Sequence, residues 1–533
     1  MATKLYLGIL LALAVLGLWW NNQHQGGLRI SNDSYQYLDA ASNLANNACG
    51  CTRLAHFDEQ VAAGQMPVPF THFPLGYPLL IAGLSKTGLS LEMSAYFWSA
   101  ASYILALWLL WSIALELGAK PLIAAGFSLL WIFHDASLAY GSTVGTEAPI
   151  TALILWIALL IIRDSPHYRE RPMLLMGIGI GAAAAYWIRY AGLFLIPVAA
   201  AYLVWVALRR PASRFSALVS LAIMTVLMVV LQVRNFHYSG TWRGGFASGA
   251  GHSLREVIVD TLKVIPRLLF GDSTPIRLDP WFILLFICVL IAGWFAIRTL
   301  VTSKGSLNAP MPPAIIWLSL LCAVYIAGIT LAALTSIAAD LRRYYLPLYP
   351  LVLAVSSALV SRIEWPRRVA SCALAVALVS VLSLQSHSVL APAPTAPHVE
   401  MQQVLASEVQ PGLTANQWLL SHTAPEEVIF SVHGQPLHYL LQRPVVSVIN
   451  PNYTARKDDG PGYRKLMGAF QARYLIVFSS GTKIEAPEQT KNPFLSQLAS
   501  SDAGSPDWLT VVARSPELII FECGSCKPPS QLQ

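Results

Sequence analysis

The chain opens with an unbroken apolar run, Leu5 to Trp20, then turns polar before apolar segments return in close succession. Those later runs lie at about Ser94–Leu117, Pro121–Ala139, Ala148–Ile162, Met173–Trp187, Leu193–Ala207, Ala217–Val233, Trp281–Ile297, Ala314–Ser336, Tyr345–Ser361 and Val369–Leu384. Each approaches the ~20 residues a helix needs to cross a hydrocarbon core of ~30 Å. Helices are required because a lipid-exposed backbone must satisfy its own hydrogen bonds. The pattern predicts about eleven transmembrane helices, the first one included.

Two polar regions interrupt this pattern. In the first, from Asp33 to Ala48, Tyr37, Ala41, Leu44 and Ala48 recur at three- and four-residue steps, which predicts an amphipathic helix suited to the membrane interface. Thr71-His72-Phe73-Pro74-Leu75-Gly76-Tyr77-Pro78 follows, and then a short apolar helix, Leu79–Leu84, that is interfacial or re-entrant. The second polar region begins after the spans. A Pro-rich linker over 389–400 leads into short β-rich runs, Val428–Val432, Val445–Ile449, Tyr474–Phe478 and Leu518–Phe521, with helical stretches between or before them. The expected organisation is a helical polytopic membrane domain over 1–388, with its external loop at 21–91, and a small α/β extracytoplasmic domain over 401–533.

Composition agrees: 55% of the 533 residues are hydrophobic, only 12% are charged, and the mean hydropathy is +0.53. Average soluble chains carry about twice that charge. Trp19-Trp20-Asn21-Asn22 offers no small-residue cleavage site, so the first run reads as a retained span rather than a signal peptide. With Lys4 inside, the cytoplasmic connections hold Lys120; Arg163, Arg169 and Arg171; Arg209, Arg210 and Arg214; Arg298 and Lys304; and Arg362, Arg367 and Arg368. This positive-inside pattern predicts an integral plasma-membrane protein with its N-terminus in the cytoplasm and its tail outside. The net charge of +7 belongs to these connections and does not indicate nucleic acid. The exception is the external segment Arg234–Arg277, with Arg243, Arg255, Lys263 and Arg267, which suits an anionic ligand such as a lipid phosphate or simply anionic headgroups. Cys288, Cys322 and Cys372 fall within spans. Cys49, Cys51, Cys523 and Cys526 are external, where three disulfide pairings are open, two of them joining the tail to the first loop, and zinc binding by the four thiols is the alternative.

The candidate chemistry gathers on the external side. Asp33 is placed where a carboxylate could take a proton from an attacking hydroxyl, although Asp33 with Gln36 also fits a helix cap. Tyr37, one turn on, shares its face, whereas Asp39 points off that face and reads as solvated. Glu147, in Gly145-Thr146-Glu147-Ala148-Pro149, is either a second functional acid or an acid favoured by a helix N-terminus. Arg189, Arg234, Arg342 and Arg343 all fall on the same membrane face and could stabilise a departing phosphate, or else snorkel to headgroups. No cofactor is demanded by these residues. A divalent metal is left open, with His72, Glu147 and His252 as its candidate ligands.

In order, Asp33-x-x-x-Tyr37, Phe73-Pro74-Leu75-Gly76-Tyr77-Pro78-Leu79-Leu80, Thr146-Glu147-Ala148-Pro149, Arg189-Tyr190-Ala191-Gly192-Leu193, Arg234-Asn235 and Arg343-Tyr344-Tyr345-Leu346-Pro347 resemble the motifs of GT-C superfamily membrane glycosyltransferases. The similar branch contains the protein O-mannosyltransferases, the lipid A aminoarabinose transferase and the Rgt-type sugar transferases. Two positions depart from its pattern: Ser34 follows Asp33 where a second acid often stands, and Phe73 replaces the first proline of the double-proline motif. The resemblance implies an inverting transferase that moves a hexose or pentose from a polyprenyl-phosphate donor to a hydroxyl of an envelope lipid, glycan or protein. Asp33 would be the base, with Glu147 beside it, and Tyr37, Tyr77, Arg189, Arg234, Arg342, Arg343 and Tyr345 would bind the donor phosphate and substrate. The competing readings are a non-catalytic membrane scaffold presenting the C-terminal domain, and a lipid or sugar transporter. A transporter is disfavoured by the scarcity of mid-span charge and of internal repeats.

Overall fold

The computed structural model describes residues 2–24, 27–55, 62–164, 171–242, 244, 253–270, 313–335, 341–362, 397–448, 460–479, 489, 492–500, 505–524 and 526. The expected spans Trp281–Ile297 and Val369–Leu384 lie outside these, as do Arg243, His252, Arg277, Cys288, Cys372 and most of the linker.

Helix α1 (Ala2–His24) begins the bundle, and α2 (Asn32–Asn47) follows it. The first loop then makes two short strands, β1 (Cys51–Thr52) and β2 (Leu54–Ala55), and a third, β3 (Val68–Pro69), which pairs antiparallel with β1. Next come α3 (Gly76–Ser85), α4 (Leu91–Glu116), α5 (Pro121–Ile132), α6 (Asp135–Gly141), α7 (Glu147–Asp164), α8 (Pro172–Ile188), α9 (Ile196–Arg209), α10 (Arg214–Ser239), α11 (Leu254–Phe270), α12 (Pro313–Thr335), α13 (Leu341–Tyr345) and α14 (Tyr349–Arg362). Among the described residues, six helical segments are long and apolar enough to cross a membrane, or seven if the bent pair α5–α6 forms one span. That is fewer than the eleven expected. Two expected spans lie outside the described residues; α8 is shorter, at 17 residues, and α7 is bounded by Glu147 at one end and Arg163 and Asp164 at the other.

In lipid the apolar effect does not distinguish a neighbouring helix from an acyl chain, so close packing must join the helices. The Gly- and Ala-rich helix α8 provides it. A Cβ on Gly179 would stand 2.6 Å from the Ser220 carbonyl oxygen, so glycine there lets α8 and α10 touch backbone to backbone. Ser220 Oγ adds a hydrogen bond to the Leu175 carbonyl at 2.6 Å. At the end of α7, Asp164 accepts from Arg210 at 2.8 Å and from the Tyr202 hydroxyl at 2.6 Å. These bonds spare the bundle an unpaired buried charge.

The tail forms a six-stranded mixed sheet in the order β2-β7-β6-β8-β10-β9. Its own strands are β6 (Ile429–Ser431), β7 (Val445–Ser447), β8 (Tyr474–Phe478), β9 (Leu509–Arg514) and β10 (Leu518–Cys523). A small hairpin, β4 (Glu408–Gln410) with β5 (Leu413–Thr414), lies outside that sheet. The helices are α15 (Pro397–Leu405), α16 (Ala415–His422), α17 (Gly434–Leu441), α18 (Gly460–Ala469) and α19 (Pro493–Ala499). All four β-rich runs expected from the sequence form strands. Every residue of β6, β7 and β8 is buried, as parallel strands covered on both faces require.

One edge of this sheet comes from the other end of the chain. Strand β2 of the first loop pairs in parallel with β7, Leu54 opposite Val445 and Ala55 opposite Val446. Tyr35, Tyr37, Leu54 and Phe70 of the first loop share one apolar core with Phe430, Leu437 and Val445 of the tail. Helix α2 does not expose the one polar face that the amphipathic pattern predicted. Residues on all its sides are buried, Tyr35, Tyr37, Leu38, Asp39 and Ala41 among them, between the bundle and the tail.

Asp39 departs most from expectation. It is buried rather than solvated and meets His438 of α17, Nε2 to Oδ1, at 3.1 Å. Its other oxygen accepts from Thr52 Oγ1 and from the Arg53 amide, each at 2.6 Å, and from Asn43 Nδ2 at 3.3 Å. An amphipathicity count scores Asp39 as polar and so outward; a second domain covering that face reverses the conclusion. The cysteines pair locally, Cys49 with Cys51 and Cys523 with Cys526, so no disulfide joins tail to loop.

Burial alone would raise the Asp39 carboxyl, but His438 and the hydrogen bonds from Thr52 and Arg53 outweigh it and hold the group below its usual range. A depressed carboxylate stabilises the fold above its unfolded pKa, about 3.9, and that contribution is lost as pH falls through the lower folded value. Asp39→Asn is expected to cost about 3–5 kcal/mol near neutral pH, as removing one partner of a buried pair does. The gap in unfolding free energy between wild type and variant should narrow below about pH 4. Denaturation of both proteins in detergent across that range checks it.

Candidate active site

Four separate parts of the chain meet at the end of the bundle that faces the tail. The first is the start of α2. Its N-terminal turn is closed by Ser31 and Ser34, not by the Asp33–Gln36 pair: the Ser31 amide donates to Ser34 Oγ at 2.8 Å. The Ser34 hydroxyl also binds the Val144 carbonyl at 2.6 Å, tying α2 to the segment before α7. With the cap supplied by serines, Asp33 is left to point elsewhere.

It points to Arg343. The Arg343 Nη2 atom lies 2.6 Å from Asp33 Oδ2 and 2.7 Å from Glu147 Oε1, and Arg343 Nε donates to the same Glu147 oxygen at 2.8 Å. Arg189 Nη1 reaches Glu147 Oε1 at 2.5 Å and the Thr146 hydroxyl at 3.1 Å. Two acids and two guanidinium groups thus alternate as Asp33–Arg343–Glu147–Arg189. The Tyr344 ring lies under this row, 4.5 Å from the Arg189 guanidinium carbon and 5.9 Å from that of Arg343.

The two ends of the row differ in access. Glu147 is deeply buried, with 3% of its side chain exposed, whereas Asp33 keeps 25% and Arg343 27%. Glu147 is fixed by its partners, and Asp33 is the acid an incoming molecule can reach. Glu147 opens α7, where the helix dipole also favours a negative charge.

Tyr37 lies next to this row, inside an aromatic cluster with Phe73 at 4.9 Å, Tyr77 at 5.3 Å and Phe70 at 6.5 Å between ring centres. The Tyr77 hydroxyl accepts from the Gly145 amide at 3.2 Å and lies 3.1 Å from Ser99 Oγ, which holds the turn carrying Glu147. A Cβ on Gly76 would come within 2.4 Å of the Trp187 carbonyl oxygen, so this glycine lets α3 approach the end of α8 just before Arg189.

The remaining candidates lie apart from the row. Arg234 donates to the Gly50 and Phe70 carbonyls at 2.8 and 2.9 Å and braces the first loop. Arg342, the neighbour of Arg343, turns instead to Asp135 at 2.5 Å. The Tyr345 hydroxyl lies 3.4 Å from that of Thr261 and 3.3 Å from that of Thr330. His72 is buried against Phe73, ring centres 4.5 Å apart, and His252 lies outside the described residues. Among the described residues no three His, Cys, Asp or Glu side chains come together as metal ligands. Glu147 Oε1 is taken by both arginines.

Sequence reasoning missed Thr146 as an arginine partner, Tyr344, and the Asp39–His438 contact. Tyr344 carried a signal, since it stands between Arg343 and Tyr345 in a motif already singled out. Asp39 carried none, because its partner lies near the far end of the chain.

No family model and no curated relative matches this sequence. Solved structures do. ArnT from Cupriavidus metallidurans bound to undecaprenyl phosphate superposes with a TM-score of 0.55 at 14% identity, over 99% of this chain and 100% of that one. The Archaeoglobus fulgidus oligosaccharyltransferase in its apo form gives 0.52 at 10% identity, over 93% and 71%. The arabinofuranosyltransferase AftD from Mycobacteria gives 0.52 at 16% identity, over 97% of this chain and 41% of that one. This chain has the GT-C glycosyltransferase fold. The agreement with ArnT spans the bundle and the tail together. At such identities the GT-C likeness fixes the fold, and the side-chain geometry carries the chemistry.

Glu147→Gln would leave Arg189 and Arg343 facing each other without their shared acid. It is expected to destabilise the protein by about 3–5 kcal/mol. Adding Arg343→Gln should restore part of that loss, a coupling of about 1 kcal/mol or more. A double-mutant cycle of thermal or denaturant unfolding in micelles checks it.

Proposed function

We propose that this protein is an integral-membrane glycosyltransferase that moves a sugar from a polyprenyl-phosphate donor to a hydroxyl of an envelope acceptor on the extracytoplasmic face. The observation that carries the reading is the Asp33–Arg343–Glu147–Arg189 row at the tail-facing end of an apolar bundle. It joins an accessible carboxylate to two guanidinium groups held by a buried one. The fold shared with ArnT bound to undecaprenyl phosphate supports the lipid-linked donor.

The transfer needs three things. A base must take the acceptor hydroxyl's proton as its oxygen bonds to the anomeric carbon, and Asp33 is the exposed acid able to do so. The bond from that carbon to the phosphate oxygen breaks, and the polyprenyl phosphate leaves with an added negative charge. Fixed arginine donors suit that charge, because they are aimed before it develops and need no reorganisation. Attack opposite the leaving phosphate inverts the anomeric centre.

Arg343 is the pivot of this arrangement. Its fork bridges Asp33 and Glu147, so a phosphate oxygen drawing the guanidinium toward itself would release Asp33 for the acceptor. Glu147 then keeps Arg189 and Arg343 near one another, a positioning role that no proton transfer requires. Tyr37 and Tyr77 build the wall beside Asp33, against which a sugar or lipid isoprene unit can rest. Tyr345, Arg342 and Arg234 support the surrounding loops.

The scaffold alternative makes Asp33 dispensable, which gives the decisive test. Asp33→Asn should fold and insert normally but lose about 10²–10⁴-fold in transfer rate, the range for a missing general base. Envelope lipids, glycans and proteins from a deletion strain rescued with wild type or variant are compared by mass spectrometry. A hexose- or pentose-sized difference restored by wild type alone supports the reading. Restoration by both would remove Asp33 from the base role.

A further inference from the structure

Helix α2 carries Asp33 on its first turn and is held from two sides by different parts of the chain. The bundle side contributes the Ser34–Val144 hydrogen bond and the aromatic nest around Tyr37. The tail side contributes α17, where consecutive residues His438 and Tyr439 grip α2 at separate points. His438 meets Asp39 at 3.1 Å, and the Tyr439 ring lies 5.4 Å from Tyr35. The Tyr439 hydroxyl continues to Glu92 at the start of α4, at 3.3 Å.

The His438 ring is fully committed. Its Nδ1 lies 2.5 Å from the Arg443 carbonyl oxygen and its Nε2 faces the Asp39 carboxylate. A backbone carbonyl can only accept, so Nδ1 donates to it and Nε2 is the ring atom that meets Asp39. Both side chains are almost completely buried, at 3% and 4% exposure. In such surroundings a buried polar pair does little for net stability relative to apolar residues, but it tolerates few geometries. It therefore fixes the rotation and axial position of α2. The parallel pairing of β2 with β7 leads the chain from α2 directly into the tail sheet and reinforces the same placement.

We infer that His438 of the external domain is a positioning residue for the reaction at Asp33, acting through Asp39 to hold α2 in the register that sets the Asp33 carboxylate against Arg343. The inference rests on the transferase reading for its effect on rate, while its effect on α2 can be measured independently. It gives the tail a role in the reaction although the tail supplies no group to the charged row. A displacement of about 1 Å at a reacting group can lower a rate by about 100-fold, so loosening the clamp should act on turnover far more than on lipid binding.

The test compares His438→Leu with His438→Gln, whose amide can still donate to Asp39, in the full-length protein in nanodiscs. Amide hydrogen exchange over residues 32–47 should rise about tenfold in His438→Leu, while the bundle helices keep wild-type protection. Transfer measured by the envelope mass difference should fall about 10- to 100-fold, with the affinity for undecaprenyl phosphate as probe within about twofold of wild type. His438→Gln should recover most of both properties. Unchanged exchange over 32–47 in His438→Leu would overturn the proposal. So would raised exchange throughout the bundle with joint loss of lipid binding, which marks general destabilisation. If Asp33→Asn stays fully active, the base assignment fails, while the exchange comparison still decides whether His438 positions α2.

Discussion

A guanidinium shared between two carboxylates governs the arrangement of this molecule's tail-facing end. Arg343 cannot sit near the edge of an apolar bundle without countercharge, and neither can Glu147, which is almost wholly buried. Each of these residues comes from a different segment: Asp33 from α2, Glu147 from the start of α7, Arg189 from the end of α8, and Arg343 from α13. Satisfying one charge therefore requires all four segments to converge. The supporting contacts follow from that demand, including the serine cap that leaves Asp33 uncommitted, the Tyr77 hydroxyl on the Gly145 amide and the aromatic floor of Tyr344. The row is balanced in charge, with one acid exposed and the other enclosed. That asymmetry separates an acid open to its surroundings from one enclosed by its arginines.

A second consequence concerns the boundary between membrane domain and tail. Apolar residues of the first loop and of the tail form one continuous core, and the tail sheet takes its edge strand from that loop. An edge strand left unpaired would expose its amides and carbonyls, and β2 covers that edge of β7. The unit that carries Asp33 is thus built from residues near both ends of the chain. Arg234, which braces the Gly50 and Phe70 carbonyls, adds the bundle's own support to the same loop.

The bundle was legible in the sequence because long apolar runs admit few structures in lipid; most runs from Ser94 to Val233 match single helices, but Pro121–Ala139 breaks into α5 and α6, bent by 66°, and the last run continues to Ser239. The tail strands were legible for a related reason: fully buried parallel strands read as short unbroken apolar runs. Asp33, Glu147, Arg189 and Arg343 could each be marked as costly charges at the edge of a span, and the structure brings these four together. Arg234 and Arg342 bore the same mark and went elsewhere, since position along the chain does not say which carbonyl or carboxylate lies across the gap. Asp39 shows the limit most clearly. Helical periodicity reports which residues share a face, but not what comes to cover it. Its partner, His438, belongs to a domain that local patterning could only describe as separate.

The pairing of β2 with β7 also bears on when the protein can become functional. These strands lie toward opposite ends of the chain, so contacts between them form late and loop closure opposes them until the intervening helices are in place. During synthesis the first loop is made long before β7 exists. Until then α2 lacks one of the two surfaces that hold it, and Asp39 lacks its histidine. A chain stalled after the last bundle helix would display every residue of the charged row, yet its Asp33 would rest on an incompletely clamped helix. The placement of α2 thus depends on β7 and His438, residues made long after it.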